Sequence, residues 1–530
     1  LLVALYGANA LMLSALYLRD RRRRGRQRTE QGASHVIGQA GNSEARSTQP
    51  ADPPTWPAVT VQLPLFNELY VVKRLIDAVA SLDYPHQMLQ IQVLDDSTDE
   101  TTRLARARVA HYSRNGLDIE LIHRCERCGF KAGALAEGLE TARGEYIAIF
   151  DADFLPPPDF LRRTIPHLVA EPRLGFLQTR WGYLNADYSA LTRAQTIALD
   201  GHFVVEHLAR NRSGLLMNFN GTAGVWRRDA IESAGGWHSD TLTEDVDLSF
   251  RAQLAGWHAL YLPEVEAPAE LPPQIAAFKR QQARWATGAA QCLVKLARPL
   301  WRGTLEAPAP RMLRVKREHE SADHAQPESQ PQLSWPARME GILHLGVWIA
   351  HPMSLVLLFL TLPLLLGQIP LTLNLTVFWL VALGPTFSYA LSQEYLYPDW
   401  KRRMLYMPVL ALVGTGLALS NTLAIAKGLR RRDTPFRRTP KFRIERQGDR
   451  WIGSRYALPF DWVTVGELAL ALYAMATIGV ALYVGNYFSV PFLLLWVGGY
   501  GYLGLQGLRD AWIGWRLRPH LHRTPVVADS

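Results

Sequence analysis

The sequence predicts an α/β domain built on a mostly parallel sheet, followed by an α-helical membrane region with interfacial helices. Three observations carry that prediction. Short apolar strands alternate with amphipathic helices between Ala58 and Asp151. Two of those strands run out in carboxylates, at Asp95-Asp96 and at Asp151-Ala152-Asp153. Apolar runs of membrane length begin near residue 342.

Element by element, residues 59–63 read as a strand, 71–82 as a helix and 89–94 as a second strand that ends at Asp95. Residues 101–114 are helical, 119–123 a strand, 132–141 helical, and 146–150 a strand that ends at Asp151. Ligands bind such sheets beyond the carboxyl ends of the strands, so Asp95 and Asp151 fall at one crevice. Residues 273–296 read as one long helix.

Around this domain, residues 1–18 are expected to be a membrane helix and 19–57 a basic polar linker. The chain begins Leu1-Leu2 without a methionine, and that first apolar segment is expected to be truncated. The soluble domain spans 58–300, a flexible polar insertion 301–335, the membrane region 336–508 and a cytosolic tail 509–530. Apolar runs fall at about 342–366, 371–392, 404–427, 464–484 and 487–507. Counting all as spans would export the basic stretch 428–443, against the tendency of Lys and Arg to stay inside. Laying 404–427 along the interface, as its Gly, Ser, Asn and Thr content permits, keeps 428–443 and the tail in the cytosol.

The net charge of +9 is concentrated in Arg clusters beside these runs, at residues 21–28, 402–403, 430–432 and 437–443. Such clusters suit anionic lipid at a cytoplasmic face, so a bilayer is an expected partner. They form no stripe with interleaved aromatics, which argues against nucleic acid. Three cysteines imply no disulfide framework. Cys125 and Cys128 lack a second ligand pair and read as two loop thiols.

The chemistry lies in the polar motifs. Asp151 and Asp153 at a strand end can hold Mg2+ or Mn2+ against a diphosphate, because hard cations take oxygen ligands. Asp245, after Thr243-Glu244, could take a proton from an acceptor hydroxyl. The same residues also read as a helix N-terminus, and both readings stand. Gln281, Arg284 and Trp285 share one helix face. There Arg suits diphosphate oxygens and Trp suits a sugar face. The same stretch also reads as an amphipathic surface helix. Two glycines in Phe219 to Gly224 permit close backbone approach.

Taken together, these motifs resemble the family 2 inverting glycosyltransferases. More narrowly, they look like the processive cellulose-synthase and cellulose-synthase-like mannan and glucan synthases. The resemblance rests on Pro64-Leu65-Phe66-Asn67-Glu68, Asp95-Asp96-Ser97, residues 129–135 around Lys131, Asp151 and Asp153, residues 219–227, Asp245, and Gln281 with Arg284 and Trp285. It implies a GT-A-type domain and a single displacement that turns an α-linked donor into a β-linked product. Glu68, Asp95 and Lys131 would hold the nucleoside end. Asp151 and Asp153 would bind the diphosphate through Mg2+ or Mn2+. Asp245 would be the base, Arg284 would contact diphosphate, Trp285 would stack on the acceptor sugar, and Gln281 would be a substrate-binding residue of the same signature. Residues 434–441 look like the gating loop of cellulose synthases, with Thr439 and Lys441 as donor contacts. The implied partners are a nucleotide-sugar donor, with UDP-glucose favoured over GDP-mannose, and a growing glycan acceptor; a protein partner is left open. The implied setting is a bacterial-type inner membrane with the product passed across it. The competing expectation is a transferase that adds one sugar to a lipid or other acceptor. A transporter is disfavoured because the apolar runs carry almost no charge.

Overall fold

The computed structural model describes residues 2–35, 50–305, 333–367, 383–430, 436–452 and 454–521. Seven strands form one sheet in the order β3-β2-β1-β4-β6-β5-β7. They are β1 (Val59–Leu65), β2 (Leu89–Asp95), β3 (Ile119–His123), β4 (Tyr146–Ile149), β5 (Leu174–Tyr183), β6 (Gly224–Arg227) and β7 (His258–Ala269). β1 pairs in parallel with β2 and β4, β2 with β3, and β5 with β7. β6 runs antiparallel between β4 and β5. This is the mostly parallel, GT-A-type arrangement that the motifs imply.

The helices in chain order are α1 (Leu2–His35), α2 (Val72–Ala80), α3 (Thr101–Arg114), α4 (Phe130–Thr141), α5 (Phe160–Ala170), α6 (Ala190–Asp200), α7 (Leu208–Arg212), α8 (Arg228–Ser233), α9 (Glu244–Leu254), α10 (Ile275–Arg302), α11 (Trp335–Gly346) and α12 (Ala350–Leu365). Strand side chains alternate between faces, and both faces of the sheet are covered. Ala148 of β4 packs with α2, α3 and α5 through residues such as Leu75, Val109 and Ile165. Its neighbours Ile147 and Ile149 pack on the other side with Leu135 of α4 and Leu248 of α9. That alternation fixes the strand register and aims the strand ends at one edge.

The predicted elements between residues 59 and 150 are present, and α3 and β3 have the predicted bounds. The sequence reading assigns no strands after Asp151, whereas the structure adds β5, β6 and β7. α1 continues through the arginine cluster to His35, where the sequence predicts a linker. Arginine is a strong helix former, and no proline interrupts residues 19–35. The expected insertion falls largely in residues 306–332, which lie outside the described residues, as do 371–382 of the apolar run 371–392 and 522–530 of the expected tail. The rest of the 371–392 segment belongs to a helix, Gly384–Leu396.

Among the described residues, three helices are long and apolar enough to cross a membrane: Trp335–Leu365, Val463–Tyr483 and Tyr487–Ile513. The run 404–427 is not one straight helix. Trp400–Gly416 and Ala418–Arg430 meet at a bend of 42°. A Cβ at Gly416 would lie 2.5 Å from the Gly499 carbonyl oxygen, so the glycine permits close helix contact just before the bend.

α10 is seated on this membrane block. Lys279 Nζ lies 2.8 Å from Glu467 Oε1 and 3.3 Å from Asp461 Oδ2. Ala286 and Ala290 pack against Ala424 and Ile425. Thr287 Oγ1 donates to the Ala424 carbonyl at 3.1 Å. The helix that carries Gln281, Arg284 and Trp285 is therefore held from the membrane side.

Candidate active site

The carboxyl ends of β1, β2, β4, β5 and β7, the loop before β6, the start of α9 and one face of α10 surround one open cleft. Of the predicted site residues, Glu68, Lys131, Asp151, Asp153, Asp245, Gln281, Arg284, Trp285, Thr439 and Lys441 line it. Asp95 does not. It is fully buried. Its Oδ1 accepts the Ser97 N–H at 3.0 Å, and its Oδ2 lies 3.0 Å from His123 Nδ1. Successive side chains at a strand end point to opposite sides, and Asp96 is the one at the cleft. Arg124 grips Asp96 with two donors, each at 2.7 Å.

Two lysines neutralise the metal-motif carboxylates. Lys131 Nζ, at the start of α4, donates to Asp151 Oδ1 at 2.6 Å and to the Gly221 carbonyl at 2.8 Å. Lys441 Nζ donates to Asp153 Oδ2 at 2.7 Å and to the Glu270 carbonyl at 3.2 Å. Burial works against both ammonium charges, but the carboxylates around them outweigh it and raise both pKa values. Asp151 Oδ2 and Asp153 Oδ1 enter none of the hydrogen bonds or ion pairs found among the described residues. Two hard oxygens at the cleft fit a divalent cation that draws its remaining ligands from a diphosphate. A second acidic group, His238, Asp240 and Asp247, is filled differently. Lys295 Nζ lies within 2.7–3.0 Å of all three side chains.

Asp245 sits in the first turn of α9. Burial pushes its pKa up to about 7, and Glu244 adds to the rise, while Lys131 and Arg284 oppose it. A carboxylate poised near neutrality is suited to accept a proton. Gly221 makes room beside it, with φ of +77° and a virtual Cβ 2.9 Å from Asp245 Oδ2. Gly221→Ala is therefore expected to cost stability of about 1–2 kcal/mol for the left-handed backbone. It should also cut turnover about tenfold or more by moving the Asp245 carboxyl. Melting and initial-rate measurements on the same preparation check both. Unchanged turnover would place Asp245 away from the reacting atoms.

The cleft holds residues that the motif reading missed. Glu270 follows β7, and its carboxylate accepts the backbone N–H groups of Phe442 and Arg443, each at 2.8 Å. Burial pushes its pKa up to about 7. Glu270 thus fastens the segment that carries Lys441. Arg438 lies 3.1 Å from Glu68 Oε2 and stacks 4.1 Å from the Tyr456 ring. Burial pushes Glu68 up to about 8 although Arg438 pulls the other way. Trp181 and Tyr183, at the end of β5, form an aromatic floor. Their indole N–H and phenol O–H have no hydrogen-bond partner among the described residues. Arg127 stacks 3.5 Å from Phe66, and Phe436 lies 4.9 Å from the Arg284 guanidinium carbon. The signal for Glu270, Trp181 and Tyr183 was the strand-end rule, had β5 and β7 been read as strands. Thr434 and Pro435 of the expected gating segment lie outside the described residues; from Phe436 onward it lies over the cleft. Cys125 and Cys128 are exposed in the turn before α4, with Arg124 bonded to the Cys128 carbonyl at 3.2 Å.

Residues 57–288 match the family described as Glycosyltransferase like family 2. Among curated proteins, the chain is 43% identical over 270 residues to the probable glucomannan 4-beta-mannosyltransferase 4 of Oryza sativa subsp. japonica, covering 50% of this chain and 49% of the relative. It is 45% identical over 245 residues to glucomannan 4-beta-mannosyltransferase 2 of Arabidopsis thaliana, covering 46% of each. The chain spans about half the length of these relatives. Among solved structures, the mannosyltransferase of Pyrobaculum calidifontis in complex with GDP-Man and Mn2+ aligns at 21% identity and a TM-score of 0.48. That alignment covers 81% of this chain and 99% of the other.

Proposed function

We propose that the chain is a membrane-embedded inverting β-mannan synthase that transfers mannose from GDP-mannose to a growing β-linked glycan and passes the product across the bilayer. The carrying observation is the buried Asp245 in the same cleft as Gln281, Arg284 and Trp285, on a helix seated against the membrane helices. The sequence alone leans to UDP-glucose; the activity for which the relatives are named moves the donor to a mannosyl nucleotide.

In this reading the Asp245 carboxylate takes the proton of the acceptor's terminal hydroxyl. That oxygen attacks the anomeric carbon on the face opposite the diphosphate. The carbon–oxygen bond to the diphosphate breaks, GDP leaves with the electron pair, and the configuration inverts. Lys131 and Arg284 place positive charge where the diphosphate develops negative charge. Asp151 and Asp153 would hold Mg2+ or Mn2+, which supplies further neutralisation of the leaving group. Glu68 and Asp96 face the nucleoside end, with Asp96 in the role expected of Asp95. Thr439 and Lys441 close over the donor. Trp285 stacks on the acceptor sugar, with Gln281 beside it on the same helix face. The arginine clusters keep the domain on the cytosolic side, with the bent 400–430 segment at the interface.

The test is nucleoside diphosphate release by the full chain in detergent, across labelled nucleotide sugars, with the product sized. Release from GDP-mannose with a long β-mannanase-sensitive product is the expected result. Release with a one-sugar product removes the polymerase reading, and release from UDP-glucose alone removes the mannosyl reading.

Because Asp245 must be ionised to act, turnover should rise with pH through about 7 and level off above it. A pH–rate profile with no inflection near there would remove Asp245 as the titrating base. Trp285→Ala should raise the acceptor concentration needed for half-maximal rate about tenfold, equivalent to about 1.4 kcal/mol. It should shorten the products while leaving donor affinity unchanged. Equal loss of donor affinity would place Trp285 on the wrong substrate.

A further inference from the structure

The floor of the cleft includes Asn220 and Gly221. Gly221 offers its carbonyl to Lys131 and its open side to Asp245, so its position sets two of the groups assigned to the reaction. Yet no regular strand or helix contains this loop. What holds it is a set of side chains beneath the floor.

Residues Gly201–His207 are wound as a π-helix between α6 and α7. In an ordinary α-helix, residues five apart point about 140° away from each other. The wider π turn bonds residue i to i+5 and brings such residues onto one face. Here it aligns His202 with His207, their ring centroids 4.4 Å apart. Both rings meet the same amide. His207 Nε2 lies 2.7 Å from Asn220 Oδ1, and His202 Nε2 lies 3.2 Å from Asn220 Nδ2.

The surrounding groups determine the proton pattern. His202 Nδ1 lies 3.2 Å from Glu206 Oε2, a carboxylate that also receives Arg210 Nη1 at 3.0 Å. A neutral His202 that donates there must accept at Nε2, and Asn220 Nδ2 is its donor. Asn220 Oδ1 is then left to accept from His207 Nε2–H. His207 is fully buried and its Nδ1 has no partner among the described residues, so its single proton belongs on Nε2. The Asn220 amide is spent on these two rings, and its backbone N–H donates to Gln178 Oε1 at 2.8 Å.

We infer that His207 and His202 are positioning residues for glycosyl transfer, presented together by the π-helix to fix Asn220 and, through it, the Gly221 carbonyl between Lys131 and Asp245. The inference rests on the transferase reading for its kinetic consequence, but the fixing of the loop is independent of it. His344 of α11 extends the clamp, with Nε2 3.0 Å from Asn218 Oδ1. Arg210 Nε reaches Glu340 of α11 at 2.9 Å. The catalytic floor is thereby tied to the start of a membrane-length helix.

The experiment compares the full chain with His207→Phe, which keeps a ring and removes the donor, and with His207→Gln, which restores an N–H. His202→Phe breaks the other bond to the same amide. Initial rates across donor concentration, melting, and hydrogen–deuterium exchange of residues 218–223 are read for each. His207→Phe and His202→Phe are expected to lower kcat about 10- to 100-fold with the donor KM within about twofold of the parent. Exchange should quicken in 218–223 and not elsewhere in the sheet, and His207→Gln should recover most of both losses. Parental kcat and parental exchange in the two Phe variants would overturn the inference. So would a Gln variant as impaired as the Phe variant. If the parent transfers no sugar while exchange behaves as expected, the loop assignment stands and the transferase reading falls.

Discussion

Asp245→Asn is expected to lower glycosyl transfer by about 10²- to 10⁴-fold, the usual span for losing a positioned general base. The amide has nearly the shape of the carboxyl, so the cleft should keep its form. It lacks the affinity for a proton that the step requires. GDP binding should be unchanged or slightly tighter, because a negative charge has left the neighbourhood of the diphosphate. Equilibrium binding of the nucleotide beside single-turnover transfer makes the distinction. Parallel loss of both would mean that Asp245 holds the donor, and the base would have to be sought at Glu244 or Glu270. The pH limb near 7 should vanish in this variant, leaving a flat residual rate.

Removal of divalent cations should abolish transfer, and Mn2+ or Mg2+ should restore it. Asp151→Asn and Asp153→Asn should each raise the metal concentration needed for half-maximal rate by about tenfold or more. The structure makes this a sharp test, because Lys131 and Lys441 already sit on the same two carboxylates. Full activity under chelation would show that the two ammonium groups neutralise the leaving diphosphate on their own. In that case Lys131→Met would become the most damaging change in the cleft. Metal-dependent nucleotide binding, read by calorimetry with GDP, separates a lost metal site from a lost turnover step.

The first half of the soluble domain was legible because its strands are apolar, its helices amphipathic and its turns polar. α3 and β3 could be read residue for residue. Legibility failed at β5, β6 and β7 for local reasons. β6 has only four residues, Gly224–Arg227, and opens on glycine. β7 contains Pro263 and Pro268 and the charged or polar His258, Glu264 and Glu266, as an edge strand tolerates. Without those strands, Glu270, Trp181 and Tyr183 could not be recognised as strand-end residues. Asp96 was missed for a different reason: a pair of adjacent aspartates does not announce which one faces the crevice. The π-helix was invisible because His202 and His207 share no face at α-helical spacing. The bend at 400–430 was hinted at by Gly414 and Gly416, but its position depends on the neighbouring helix, which no local pattern reports.

The seat of α10 sets a limit on how this protein can be handled. A chain cut after Arg302 would keep every strand and the whole of the 57–288 match. It would also strand the Lys279 ammonium without Glu467 and Asp461, and turn the Ala286 and Ala290 face outward. Water would take up the freed ammonium, but the helix would lose the packing and ion pairs that fix its position. The excised domain could keep its sheet and still misplace Arg284 and Trp285. Lipids or detergents that loosen the 463–483 helix would produce the same failure in the intact chain, with activity lost before any sign of unfolding.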